Sequence, residues 1–248
     1  MRLRDRAVLF SNAVGDRILR VINRMLARFS VLPEQPFYDP AQFPWVADLE
    51  ANWKTIRREL DDVLTYHDDL PNFQDISTDQ LHLTDDDRWK TYFFYGYGFR
   101  SDANCGRCPE TTRLIEGVPG METAMFSILA PGKHIPPHDG PYKGVLRYHL
   151  GLLVPDDEEK LGITVGGEVA HWHEGASLVF DDTFEHAVWN DTDGTRVVLF
   201  LDVVRDLREP MRTFNRIVIK VIGFSPFIQD ARRRHQAWEQ RFERVRGA

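Results

Sequence analysis

Three side chains in the C-terminal half of the sequence are equipped for chemistry: His138, His186 and Arg196. His138 closes His134-Ile135-Pro136-Pro137-His138, which runs on into Asp139-Gly140-Pro141 and reads as a turn. His186 sits in a second turn, Phe180-Asp181-Asp182-Thr183-Phe184-Glu185-His186, and Arg196, ten residues later, opens the apolar run Val197-Val198-Leu199-Phe200-Leu201. Neutral imidazole is the commonest protein metal ligand. Two imidazoles that leave coordination positions open suit a non-haem Fe(II) that must also take a keto-acid and O₂. A guanidinium at the mouth of a barrel is shaped to grip a carboxylate in bidentate fashion.

Such groups need strands to hold them, and from Trp89 the hydrophobic period is two. Strands are predicted at 89–98, 122–129, 143–154, 162–165, 168–173, 176–181, 187–189 and 196–204, separated by Gly, Pro, Asn and Asp turns. Many short strands without intervening helices make a mainly β, jelly-roll or cupin-like fold. Along 143–151, alternation puts Val145, Arg147, His149 and Gly151 on one face and Leu146, Tyr148, Leu150 and Leu152 on the other. An Arg and a His on one face need solvent or partners. That face either meets water or lines an anion-binding interior.

Helices flank this core. Residues 1–30 have an apolar helical stripe beside Arg2, Arg4, Arg6, Arg17, Arg20, Arg24 and Arg28. Two readings compete: a helix packed on the barrel or on a partner subunit, which is preferred, and a helix lying on an anionic membrane surface. Residues 31–45 read as a loop, 43–66 as a polar helix, 67–87 as irregular, and 210–246 as helix broken near Gly223 and Pro226. The expected division is 1–66 helical, 67–209 catalytic and 210–248 a helical extension.

The net charge of −7 and pI near 5.7 exclude general nucleic-acid binding. No run of 18 apolar residues predicts a transmembrane helix, and no secretory signal is recognisable, so a cytoplasmic location is expected, at most peripheral to the inner face of the membrane. Cys105 and Cys108 read either as reduced spectators or as a local disulfide; no second pair completes a Cys₄ zinc site.

Taken together, the blocks Trp89-Lys90, Phe126-Ser127-Ile128-Leu129-Ala130-Pro131-Gly132, His138-Asp139-Gly140-Pro141, Leu146-Arg147-Tyr148-His149-Leu150-Gly151-Leu152, Phe180 to Trp189, Arg196 and Asp202-Val203 resemble the aspartyl/asparaginyl β-hydroxylase family. These are Fe(II)- and 2-oxoglutarate-dependent oxygenases, and the resemblance spans about residues 89–205. It implies a double-stranded β-helix with His138 and His186 as iron ligands. It also implies that Arg196, assisted by Ser127, binds the distal carboxylate of 2-oxoglutarate, that Arg147 and His149 meet its other end, and that Trp89 forms an aromatic wall. Gly140 stands where H-x-D oxygenases carry a carboxylate; the family resembled likewise lacks a third protein ligand, water filling the position, so Gly140→Asp is expected to tighten iron retention. Asp181, Asp182 and Glu185 either orient His186 or serve turn chemistry. The implied reaction is hydroxylation of an unactivated C–H bond by Fe(II), 2-oxoglutarate and O₂. The β-carbon of an Asp or Asn in a peptide or protein comes first as substrate, and an acyl chain, as for the similar lipid A hydroxylases, comes second. A non-catalytic cupin-like binding protein is the reading from another class, and a zinc hydrolase would leave Arg196 unexplained.

Overall fold

The computed structural model describes residues 17–77 and 83–246. Its centre is a two-layer β-sandwich. The large sheet has the order β1 (Phe37–Tyr38), β9 (Ser177–Phe180), β6 (Val145–Leu153), β11 (Arg196–Val204), β4 (Met121–Leu129), β2 (Trp89–Gly96), β3 (Phe99–Arg100). The small sheet has the order β5 (Lys133–His138), β10 (His186–Asn190), β7 (Leu161–Val165), β8 (Glu168–Ala170). Every strand pair in both sheets is antiparallel. The chain has the jelly-roll, cupin-like architecture expected from its sequence, with helices flanking the sheets.

The period-two pattern decides which face of each large-sheet strand goes where. Leu146, Tyr148, Leu150 and Leu152 of β6 join Phe126, Val197, Leu199 and Leu201 on the back of the sheet. There α2 (Val46–Ala51), α3 (Trp53–Leu64) and α6 (Pro109–Glu116) cover them, together with the C-terminal α8 (Pro226–Arg246), through Leu49, Ile56, Leu60, Leu114, Ile115 and Trp238. The opposite face contributes Trp89, Met125, Leu129, Val198 and Phe200, which meet Ile135, Ile163, Val165 and Val188 of the small sheet. The Arg147/His149 face of β6 therefore lies inside the sandwich.

Several elements differ from the sequence reading. Residues 133–138 form β5 although Pro136 and Pro137 argue against a ladder; β5 is an edge strand, where a missing N–H costs little. Phe37-Tyr38, read as loop, pairs with β9. The helix read at 43–66 is two helices, separated at Asn52, and the irregular stretch holds α4 (Phe73–Ile76). The helices α5 (Asp102–Arg107) and α6 were not predicted. Cys105 and Cys108 are free, buried thiols packed into the helix-covered core, and burial raises both above the ordinary thiol range. They are spectators in packing.

Of the N-terminal helix, residues 17–29 are described and form α1; the remainder of that prediction lies outside the described residues. Leu19, Ile22, Leu26 and Phe29 of α1 pack with Val145, Leu207, and Met211 and Ile219 of α7 (Met211–Gly223). The packed reading describes this buried stripe. Among the described residues, no helix is long and apolar enough to cross a membrane.

Candidate active site

Register brings the two histidines together. In the β5–β10 pair, His138 lies directly opposite His186, and their ring centroids are 4.1 Å apart. His138 Nδ1 lies 2.8 Å from the Pro136 carbonyl oxygen and His186 Nδ1 lies 3.0 Å from that of Phe184. A carbonyl only accepts, so Nδ1 carries the proton in each ring and Nε2 carries the lone pair. Burial, with Arg147 and His138 nearby, lowers the His186 pKa to about 3. Neutral, backbone-oriented imidazoles are the state a metal requires.

Arg196 supplies the second half. It is 1% exposed at the start of β11, and its Nε and Nη1 have no hydrogen-bond partner among the described residues. Its guanidinium stacks 4.6 Å over the ring of Trp172. Burial alone pulls its pKa from 12.5 to about 9. Arginine keeps its proton in proteins, so this unfavourable desolvation is expressed as demand for an anion. A chain of ring contacts with one hydrogen bond leads from there toward the histidines. Trp172 Nε1 donates to His149 Nδ1 at 3.3 Å, and the His149 ring sits between Phe180 and Phe200 at 5.1 and 5.2 Å. His149 Nε2 is a second buried atom with no partner among the described residues, and burial, then Arg196 and Arg147, hold this imidazole neutral. Ser127 Oγ accepts from Trp89 Nε1 at 3.1 Å, which leaves the hydroxyl proton available. Trp89 packs edge-on against Phe73, with centroids 4.6 Å apart.

Arg147 is placed differently from Arg196. Its Nη2 pairs with Asp182 at 2.9 Å, its Nε donates to Asp202 at 3.1 Å, and it lies 4.5 Å over Phe200. Its charge is already matched, so its role at the far end of the pocket is to hold Asp182 and Asp202. Burial raises the Asp182 carboxyl to about 6 despite Arg147 beside it. A β-carbon built on Gly140 would lie 2.3 Å from Asp182 Oδ2. A carboxylate at this position would have to displace the Asp182 side chain, and glycine lets the two segments close through the Gly140 N–H to Asp182 carbonyl bond of 2.7 Å. Asp181 does not orient His186; it pairs with Arg205 and with Lys143 (2.9 Å).

The histidines open into a cavity of about 520 Å³. Phe73, Phe93, Met125 and Phe200 line its depth, and Phe99, Phe227, Ile228 and Arg232 its mouth. Three site features escaped the sequence reading. Trp172 was passed over because His171 and His173 beside it pointed to a surface strand; it lies past the end of β8 (Glu168–Ala170) and is buried. The pairing of Arg147 with two acids depends on cross-strand partners, Asp202 on β11 and Asp182 beyond β9. The α8 residues at the mouth come from a segment read only as the last part of the helical stretch 210–246.

The residues present fit a two-histidine metal site beside an anion pocket. The family model described as aspartyl/asparaginyl beta-hydroxylase matches residues 50–206. The ornithine lipid ester-linked acyl 2-hydroxylase of Rhizobium tropici is 48% identical over 215 residues, covering 87% of this chain and 76% of that protein. The human aspartyl/asparaginyl beta-hydroxylase is 34% identical over 191 residues, 74% of this chain but 24% of the human protein. Among solved structures, the cupin domain of Schizosaccharomyces pombe Cnp3 aligns with a TM-score of 0.34 at 11% identity, over 56% of this chain and 77% of that one. With the matched region spanning β2 to β11 and both histidines inside it, the chain belongs to the aspartyl/asparaginyl β-hydroxylase family of hydroxylases.

Proposed function

We infer that this chain is an Fe(II)- and 2-oxoglutarate-dependent dioxygenase whose substrate is an acyl chain of a membrane lipid. The observation that carries the metal and co-substrate is the pairing of two facing histidines, each oriented by a backbone carbonyl, with a buried, anion-seeking Arg196 in one sandwich. His138 and His186 would hold the metal, with Nε2 as ligand atom. Arg196 would take the distal carboxylate, with the Ser127 hydroxyl and the His149 ring lining the same slot. Bound Fe(II) with 2-oxoglutarate and O₂ supplies the oxidative chemistry that places one oxygen atom on an unactivated carbon and releases succinate and CO₂. The chain itself binds, orients and excludes water. Phe200 and Phe180 wall off His149, and Arg147 fixes Asp182 against the Gly140 turn, which sets the position of His138.

The substrate class is argued from the cavity. Around the histidines it carries Asp139, Asp182 and Asp202, two of them binding Arg147. Arg147 is already engaged by two of these acids, so beside the histidines it offers no free cation to an aspartate side chain. An alkyl chain would instead meet Phe73, Phe93, Met125 and Phe200 along a wall that continues to Phe99, Phe227 and Ile228. The similarity to a lipid acyl hydroxylase over most of the chain supports the same order, which places acyl hydroxylation ahead of the Asp/Asn β-hydroxylation expected first from the sequence.

The test is a direct competition. Protein supplied with Fe(II), 2-oxoglutarate and O₂ is offered an ornithine lipid in detergent or an Asp- and Asn-containing peptide, and products are read by mass spectrometry with succinate release. Gain of one oxygen on the lipid acyl chain is expected. Oxygen gained by the peptide alone would reverse the substrate order, and no succinate with either would remove the reading.

A further inference from the structure

Outside the site, the largest unexplained feature is a pair of exposed apolar stripes on α1 and α7. Ile18, Val21 and Met25 of α1 are 56, 48 and 45% exposed. Phe214, Ile217 and Val221 of α7 and Phe224 at its end are 37, 56, 63 and 82% exposed. At 100° per residue each set forms one row. On α1 that row lies between the buried seam (Leu19, Ile22, Leu26, Phe29) and a row of Arg17, Arg20, Arg24 and Arg28. On α7 it lies beside Arg212, Arg216 and Lys220. Both helices pack on one cluster, so the two rows flank the same part of the core.

Charge identifies the occupant. Neither α1 nor α7 contains an acidic residue, in a chain whose net charge is −7. Among the described residues, Arg212 alone of the seven cations is bound to an acid, Asp206 at 3.1 Å. Solvent-exposed aliphatic and aromatic side chains set next to arginines, on helices already packed by their other face, are the composition of an interfacial surface. A second copy of this chain would bring the same cations against one another across a two-fold contact. An anionic bilayer satisfies both the apolar and the basic rows.

The surface is also continuous with the cavity. A second cavity of about 720 Å³ is lined by Arg216, Lys220 and Phe224 on one side and by Tyr97, Phe99, Ile228 and Arg232 on the other. The last four also line the cavity that holds the histidines. The basic apolar face thus leads, past Phe99 and Ile228, to His138 and His186.

We propose that α1 and α7 together form a docking face for an anionic lipid bilayer, with the gap between α7 and α8 as the portal through which an acyl chain reaches the histidines. The portal rests on the acyl-chain reading; the docking face does not, and it is tested without turnover.

The full chain is sedimented with vesicles of phosphatidylcholine containing phosphatidylglycerol, and with vesicles of phosphatidylcholine alone, at low and high salt. Binding to the anionic vesicles is expected, much weaker to the neutral ones and reduced by salt, since exposed charges are screened. The exposed positions allow two independent arms with circular dichroism as the folding control. Ile217→Gln with Phe224→Gln removes apolar insertion, and Arg20→Gln with Arg24→Gln removes charge; each pair is expected to lower anionic-vesicle binding by about tenfold or more. Val169→Gln, equally exposed on β8 (57%), is the control expected to bind as the native chain does. No binding to phosphatidylglycerol vesicles, or native binding by both double variants, overturns the proposal. So does a dimer seen by light scattering that Phe224→Gln dissociates while vesicles are ignored, because the face would then join two copies. Vesicle binding without acyl hydroxylation would leave the docking face standing and remove the lipid substrate; hydroxylation of detergent-dispersed lipid without vesicle binding would do the reverse.

Discussion

The two ends of the central strand β11 each present a buried arginine, and the two differ in what surrounds them. Arg205, just past the C-terminal end, is 1% exposed and fully engaged: Nε donates to the Lys143 carbonyl at 2.8 Å, Nη1 to the Tyr38 hydroxyl at 3.2 Å and Nη2 to Asp181 at 2.5 Å. Arg196, at the N-terminal end, is equally buried and leaves Nε and Nη1 unmet among the described residues. Folding alone accounts for Arg205, because its partners tie β1, the β9–β10 turn and the β5–β6 loop to one point. Nothing in the fold accounts for Arg196. A buried charge stacked on Trp172 but with two N–H groups lacking acceptors among the described residues is a cost that a bound dicarboxylate would offset, and this contrast separates the structural end of the strand from the functional one.

Substituting the two arginines alike would break or sharpen that contrast most. Arg205→Met should destabilise the protein by about 3 kcal/mol, because it removes one of the two cations that hold Asp181 in the interior, leaving only Lys143, and breaks the bonds to the Lys143 carbonyl and Tyr38. Arg196→Met removes an unpaired buried charge, so its unfolding temperature without co-substrate should equal or exceed that of the native protein, while the stabilisation given by 2-oxoglutarate disappears. Thermal unfolding with and without 2-oxoglutarate checks both. Equal losses in the two variants would make Arg196 structural as well.

Which of these features could be read from the sequence follows from what each depends on. The strands from Trp89 onward and the pair His138 and His186 with Arg196 are written in local pattern: alternation, turn residues and spacing. Strand β5 is not, because Pro136-Pro137 contradicts a ladder and only its edge position permits it. The Asp181–Arg205 and Asp182–Arg147 pairs were invisible because each joins residues far apart in sequence, and the acids and bases near the motif offered many pairings. The glycine at 140 looked like a missing ligand; the structure shows it as the space that Asp182 occupies.

A second prediction concerns a buried titratable group remote from both arginines. His235 on α8 is 1% exposed among Phe93, Phe99 and Trp238, and burial lowers its pKa to about 4. The unfolded chain takes up a proton near pH 6.5 that the folded chain refuses until about pH 4. Stability from this group is therefore complete above pH 6.5 and is lost as pH falls toward 4, by roughly 3 kcal/mol if fully expressed. Denaturant titrations of the native chain and His235→Phe between these pH values should show a steeper acid loss in the native chain. Parallel curves would remove His235 as the cause.

At the Gly140 turn, Gly140→Ala should cost about 1–3 kcal/mol through its clash with the Asp182 carboxylate. Gly140→Asp should not improve iron retention unless Asp182 is shortened as well. A gain in bound iron by the single Gly140→Asp variant would show that Asp182 moves aside readily.

The smallest effect belongs to Trp172→Phe. It keeps an aromatic face under Arg196 but removes the donor to His149, so it should weaken 2-oxoglutarate binding by about 1 kcal/mol, less than tenfold. A larger loss would assign the indole N–H a direct role in holding the co-substrate.

The contrast between the arginines is tested most directly by calorimetric titration of 2-oxoglutarate into the metal-loaded native chain and into Arg196→Lys and Arg196→Met. The native chain should bind one equivalent. Arg196→Lys should bind more weakly, because an ammonium cannot reproduce bidentate geometry, and Arg196→Met should lose about a hundredfold or more in affinity while retaining its metal. Undiminished binding by Arg196→Met would contradict the account.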